Sequence, residues 1–372
     1  MNTEPAPANP FSTPASARLE GRRSRALRLA LLSVALVALG SLLWSARRRP
    51  AAPDPVVREF SVFDSYARIT LWSSPERAEP ALRECTAVLA ELHRTLNRFD
   101  PSSELARLNA AAAGQAFACS PQLWDVLQAA RQAYAQTAGA FDITVGPLMA
   151  VWGFHRKRDT LPTEAEIQAA LACVGLARVA FDDTAHTVRF TVAGMSLDCG
   201  GLAKGYALDR VLAILARAHL EPALVDLGGN VGCSTQPPPG RPHFVIGVRN
   251  PFATETLLGR LPIVGRTVST SGNYERRIII QGKEIGHIIE PRTGHPVSGP
   301  AGVTAVTPRG VDSDVFSTAV YVAGKELAEA LAEHVPGTGF VLVSGSPDAP
   351  ELTRVGDLHR LEDTTAPPAR RP

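Results

Sequence analysis

Ser196-Leu-Asp-Cys-Gly-Gly-Leu-Ala-Lys-Gly-Tyr-Ala-Leu-Asp209 reads as a short strand that ends on a carboxylate, turns through two glycines and enters a helix with a lysine in its first turn. Backbone N–H groups left free at a helix N-terminus, beside one cation and one anion, make a seat for a phosphate-bearing ligand. The helix extends from Leu202 to His219 and leads into Ala223-Leu-Val-Asp-Leu-Gly-Gly-Asn230. Elsewhere helices and short strands alternate irregularly, without the regular cadence of a doubly wound sheet. The fold class that follows is α+β.

Working outward, Val56 to Trp72 alternates apolar and polar residues as a strand or hairpin does. Pro75 to Phe99 carries Leu82, Cys85, Leu89, Leu92 and Leu96 at helical spacing. Pro101-Ser-Ser-Glu104 is a cap before a short helix, and Ser120 caps an amphipathic helix over Pro121 to Thr137. Gly139 to Pro147 reads as a loop, and Thr163 to Val174 as another capped helix. Arg178 to Leu197 holds two or three short strands, and His243 to Ile280 reads as strands. Asp312 to Val335 forms one or two helices, Gly339 to Ser344 the last strand, and the tail from about Asp363 frays.

The chain has 372 residues, of which 45% are hydrophobic, enough for one large core or two moderate ones. Its net charge is +2, and the body lacks basic patches interleaved with aromatics, which argues against nucleic acid as a partner. The five cysteines form no C-x-x-C, which argues against a disulfide framework and a zinc site. Residues 1–28, rich in Pro, Ala, Ser and Arg, are expected to be a disordered N-terminus. Leu29 to Ala46 is uncharged and sits at the lower limit for a bilayer span of about 20 residues. Leu43 and Trp44 stand where a cleavage site wants small residues, so the run reads as an uncleaved signal anchor. An N-in topology exports the remainder. Residues 47–55 are a Pro-Ala linker, 56–360 the folded body and 361–372 a disordered tail.

Three further polar segments match the opening stretch in character: Ser269-Thr-Ser-Gly-Asn-Tyr-Glu275, Gly286-His-Ile-Ile-Glu-Pro-Arg-Thr-Gly294 and Val311-Asp-Ser-Asp-Val-Phe-Ser-Thr318. Asp314 and Thr318 are spaced to share one helix face near its start, offering a carboxylate and a hydroxyl as hard oxygen ligands. The same residues also read as structure: Asp312 or Ser313 as a helix cap with Thr318 packed inward, His287 as a satisfied core histidine, and Ser269, Ser271 and Asn273 as a turn. Gly228-Gly-Asn-Val-Gly232 lacks the dinucleotide fingerprint, and no Gly-Lys-Ser/Thr occurs.

Together the segments resemble the ApbE family, the FAD:protein FMN transferases. Gly139-Ala-Phe-Asp142, Asp198-x-Gly-Gly-x-Ala-Lys-Gly-Tyr206, Asp226-Leu-Gly-Gly-Asn230, Ser269 to Arg276, His287 to Gly294 and the Asp314/Thr318 pair stand in the family's order, over roughly Phe60 to Ser344. The resemblance implies an alpha-beta roll with mixed, mainly antiparallel sheets and packed helices. It implies an exported, usually membrane-tethered enzyme, here on the bacterial inner membrane with its catalytic body in the periplasm. Such enzymes cleave FAD and move FMN onto a threonine or serine of an acceptor protein, such as a subunit of a membrane redox complex, releasing AMP. By the same resemblance Phe63, Phe99, Ala140, Phe141, Asp142, Asp198, Lys204, Ser271 and His287 would contact FAD. Mg2+ would be held by the Gly201 carbonyl and the side chains of Asp314 and Thr318, and either His287 or Asp314 would serve as base. Glu290 replaces the family's aspartate, and Phe63-Asp-Ser65 replaces its Met-Gly-Thr turn. The alternatives are an FAD pyrophosphatase using water as acceptor and a tethered flavin-binding protein without turnover.

Overall fold

The computed structural model describes residues 54–358 and 362–363. Segment 1–28, the apolar run 29–46, nearly all of the linker and the tail beyond 363 lie outside the described residues, with the expectations placed on them. Among the described residues no helix is long and apolar enough to cross a membrane.

Val56–Val62 (β1) and Ser65–Leu71 (β2) pair as an antiparallel hairpin. Its two-residue turn, Phe63-Asp64, holds both residues at φ +52°, the left-handed conformation that matches hairpin twist. Pro75–Leu96 (α1) buries the stripe from Leu82 to Leu96 read above. Glu104–Asn109 (α2) is capped by Ser103 Oγ, which accepts from Ala106 N. After the two-residue strand Phe117–Ala118 (β3), Pro121–Gln136 (α3) is capped by Ser120 Oγ, which accepts from Leu123 N.

Gly139 to Pro147, expected as a loop, instead contains a 3-10 turn, Ile143–Val145, and the start of a helix, Gly146–Val151 (α4). Asp142 Oδ1 accepts from Thr144 N at 2.8 Å and caps the turn, while Pro147 occupies a first-turn position where its missing N–H is no loss. Glu164–Leu171 (α5) has a complete capping box between Thr163 and Glu166. Val179–Asp182 (β4) and Thr187–Phe190 (β5) pair with β3 in a small sheet. Ser196 to Asp198, read as a short strand, has no strand partner among the described residues and is held instead by Asn109 and the Ile143 carbonyl; the helix after the glycine turn is Ala203–Arg217 (α6).

The remaining strands are Ala223–Leu227 (β6), Asn230–Cys233 (β7), Phe244–Arg249 (β8), Leu257–Ile263 (β9), Thr267–Ser271 (β10), Arg277–Ile280 (β11), Lys283–Gly286 (β12) and Gly302–Thr307 (β13). Gly310–Ala323 (α7), Lys325–His334 (α8), Gly339–Ser346 (β14), Ala349–Gly356 (β15) and Glu362–Asp363 (β16) complete the order. The expected last strand is therefore β14 extended by two residues, and β15 pairs back along all of it. β15 lies at the sheet edge and is mostly exposed, so no apolar alternation marks it in the sequence.

One eight-stranded sheet, in the order β1-β2-β6-β7-β10-β13-β14-β15, organises the body. Every pairing among the described strands is antiparallel. Ala67, Ile69 and Leu71 of β2 point into the main core, which also takes Leu89 of α1, Leu208 of α6 and Phe316 of α7. The opposite face of β2 carries Tyr66, Arg68 and Thr70. On that opposite face β8 and β9 pack through Phe244, Val248, Leu261 and Ile263 against Val268, Val306 and Val341 of the large sheet. A further core, including Leu148, Trp152, Ile167, Ile280 and Ile285, joins α4 and α5 to the β11–β12 hairpin. The space left between these bodies is the site.

Candidate active site

A cleft of about 650 Å³ opens where the glycine turn, the start of α6, the end of β10, α7 and the outer face of β2 and β6 meet. It is lined by Gly201, Lys204, Ser271, His287, Asp314 and Thr318, all six singled out in the sequence. Tyr66, Arg68, Asp226 and the β8 residues from Val245 to Gly247 form its other wall. A smaller cleft of about 260 Å³ beside Leu212, Cys233 and Arg266 holds none of the predicted site residues.

The meeting of α6 and α7 depends on two glycines. A methyl group on Gly205 would lie 2.3 Å from the Gly310 carbonyl oxygen and 2.6 Å from Asp314 Cβ. One on Gly310 would lie 2.5 Å from the Gly205 oxygen, so the helices touch backbone to backbone. That contact lets Gly205 N donate to Asp314 Oδ2 at 2.8 Å. Asp209 of α6 serves as the cap of α7, accepting from Gly310 N at 2.5 Å and Val311 N at 3.0 Å, the role that Asp312 or Ser313 was a candidate for. A carboxylate at that end also faces the positive pole of the helix.

Burial raises the pKa of Asp314, against the pull of Lys204, the Gly205 amide and Asn230. A buried carboxylate beside one lysine is a group whose charged form a second cation would stabilise. Ser271 Oγ bonds both Ser317 Oγ at 2.9 Å and Thr318 Oγ1 at 3.0 Å, and Ser269 Oγ bonds Ser313 Oγ at 2.8 Å and Asn230. The serines read as a possible turn thus lie on β10, where they tie the sheet to α7.

His287 bonds through Nδ1 to the Arg276 carbonyl at 2.9 Å. A carbonyl accepts only from a protonated nitrogen, so the network assigns the neutral ring's proton to Nδ1 and leaves Nε2 bare. Burial pushes the imidazole below its ordinary value, and the charges of Arg276 and Lys204 push the same way.

The other predicted contacts are placed differently. Phe141 stands behind the glycine turn: a methyl on Gly201 would lie 3.1 Å from its ring and 3.7 Å from Thr318 Oγ1. Ala140 and Asp142 are buried beside it and do not line the cleft. Both Asp142 oxygens are engaged, Oδ1 with Thr144 and Oδ2 with Leu176 N at 3.1 Å. Phe63 packs edge-on against His93, and Phe99, 56% exposed, packs edge-on against His155. Neither ring lines the cleft. Asp198 sits immediately behind the turn, bonded to Arg98, His155 and Gly200 N.

Tyr66, Arg68, Asp226, Asn230 and the β8 wall were not predicted as site residues. Tyr66 donates to Asp226 at 2.8 Å, and Asp226 accepts from Gly229 N at 2.8 Å, which orders the second glycine turn. The Asp226-Leu-Gly-Gly-Asn230 motif was the available signal for that turn; β8 offers none, being an ordinary half-buried strand.

The chain belongs to the ApbE family, whose model matches residues 63–342. A FAD:protein FMN transferase of Klebsiella pneumoniae is 35% identical over 236 residues, covering 62% of this chain and 71% of that protein. Among solved structures, an ApbE protein of Thermotoga maritima superposes with a TM-score of 0.73 at 28% identity, covering 81% of this chain and 97% of the other. The flavin transferase ApbE of Vibrio cholerae gives 0.72 at 25% identity, with the same coverage of 81% and 97%.

Proposed function

We propose that this protein is a magnesium-dependent FAD:protein FMN transferase that moves FMN onto a threonine or serine of an acceptor protein and releases AMP. The observation that carries the reading is the convergence of Gly201, Lys204, Ser271, His287, Asp314 and Thr318 on one cleft. The function named for the Klebsiella relative and the Vibrio structure supports it.

Magnesium fits the donors available. Asp314, Thr318 and the Gly201 carbonyl offer oxygen alone, and this cation takes one or two protein carboxylates before filling its shell with water and phosphate oxygens. A methyl built on Gly201 would lie 3.7 Å from Thr318 Oγ1, so the turn passes close to that hydroxyl. When bound, the ion supplies charge neutralisation on the phosphoryl oxygens and the departing phosphate.

The chain's own residues do the rest. Lys204 offsets charge on the diphosphate. The acceptor hydroxyl oxygen attacks the phosphorus of the FMN half, its proton passes to His287 Nε2, and the bond from that phosphorus to the bridging oxygen breaks, freeing AMP. Choosing His287 over Asp314 as base rests on its bare, uncharged nitrogen in the wall of the cleft. Asp314 is engaged by the Gly205 amide instead.

The run 29–46 would anchor the protein in the bacterial inner membrane with this body in the periplasm, where acceptors such as membrane redox-complex subunits present their hydroxyls. Incubating the full chain with FAD, Mg2+ and a threonine-bearing acceptor peptide tests the chemistry. The expected result is flavin that stays on the peptide through denaturation, with AMP released in equal amount. Asp314→Ala should abolish both. FMN and AMP without labelled peptide, or stoichiometric FAD retention with no AMP, would overturn the reading.

A further inference from the structure

Residues 196–200 leave the sheet system, yet their backbone is tied down on every side. Asn109 brackets Leu197, donating from Nδ2 to its oxygen at 2.9 Å and accepting from its N–H at 2.7 Å. Asp198 N donates to the Ile143 carbonyl at 2.7 Å. The Asp198 carboxylate then gathers three donors from three segments. Gly200 N reaches Oδ1 at 2.8 Å; His155 Nε2 and Arg98 Nη1 reach Oδ2 at 2.8 and 3.1 Å. Arg98 ends the α1 region and His155 lies in the connection between α4 and α5, so the carboxylate joins parts of the chain that share no sheet.

This arrangement carries a penalty that packing alone does not explain. The side chains of His155 and Arg98 are 9% and 16% exposed, and His155 Nδ1 and Arg98 Nε are buried without a hydrogen-bond partner among the described residues. Buried unpaired polar atoms are rare in folded proteins and are retained where another demand outweighs them. The demand visible here is the carboxylate. Burial alone would raise the Asp198 pKa, but the His155 bond and the Arg98 charge reverse this and hold it at about 2. Asp198 is therefore an ionised anchor, with its oxygens committed to the protein.

We infer that Arg98 and His155 are positioning residues: through Asp198 they fix the Gly200–Gly201 turn in the cleft wall, where its backbone meets the diphosphate. The ligand named here rests on the function proposed above; the clamp itself does not. Its consequence is that Asp198 acts behind the turn, and losing either partner loosens the turn before it unfolds the protein.

Amide hydrogen exchange on the ligand-free full chain tests the clamp, and a fluorescence titration with FAD tests its purpose. His155→Leu should speed exchange at the Gly200 amide by about tenfold, as expected when a bond to a charged group is lost. It should weaken FAD binding by a similar factor, with FMN transfer losing kcat more than KM changes. His155→Gln, which can still donate to Asp198, should stay within about threefold of wild type in all three readouts. Arg98→Met should behave as the leucine variant does. Wild-type exchange and FAD affinity in His155→Leu would overturn the inference. So would equal losses in the leucine and glutamine variants, which would mark His155 as packing only. If exchange responds as expected while the wild type binds no FAD, the clamp stands and the proposed ligand falls.

Discussion

Gly205→Ala is a one-carbon change that tests the geometry of the whole site. The added methyl would lie 2.3 Å from the Gly310 oxygen and 2.6 Å from Asp314 Cβ, so α6 and α7 must move apart by roughly 1 Å. Overpacking of this kind costs about 1–3 kcal/mol. The 2.8 Å bond from Gly205 N to the buried Asp314 carboxylate stretches as well, and a bond to a charged group is worth about 1.5–3 kcal/mol. Alanine recovers about 1 kcal/mol over glycine in a helix interior. The net loss is about 3 kcal/mol, a fall in Tm of about 5 °C for a body of this size. Displacing Asp314 and Lys204 relative to each other by about 1 Å should lower transfer by about 100-fold, beyond the loss of folded protein. Thermal melts by circular dichroism and FMN transfer assayed well below the Tm read the two effects separately. Gly310→Ala presses on the same contact, so the double variant should lose less than the sum of the singles. An alanine variant as stable and active as wild type would show that the helices do not meet as described.

Two further predictions concern protons. Because burial holds the His287 imidazole below 6.5, its base form fills as pH rises through that lowered value; kcat/KM should climb on the acid side and be flat at neutral pH. His287→Asn should lower transfer by about 100-fold or more and abolish this acid limb, and an unchanged limb would remove His287 as the base. Burial, with Asp209 nearby, raises the Asp312 carboxyl from 3.8 to about 6, against the pull of Arg309. A folded-state pKa above the unfolded one means stability that is present below about 4 and lost as pH rises through 6. Asp312→Asn should therefore stabilise the protein at pH 8 by roughly 3 kcal/mol and have little effect at pH 4, as read by urea denaturation; equal effects at both would refute the burial argument.

Local chemistry wrote much of this molecule into contiguous residues. The stripe of α1, the serine caps of α2 and α3 and the capping box of α5 all lie within a few positions of what they organise, so they could be read directly. The same holds for the glycine turn before Lys204 and for the i, i+4 placement of Asp314 and Thr318. β13 escaped because all six of its residues are buried, leaving no alternation, and β15 because exposure on an edge leaves little apolar pattern. What tertiary structure alone decided is which distant groups meet. The backbone contact of Gly205 with Gly310 spans more than a hundred positions, and the bonds of Arg98 and His155 to Asp198 join segments with no shared pattern. The physical reason is that propensity and capping act over one or two turns, whereas burial, desolvation and hydrogen-bond partnership are properties of the packed chain.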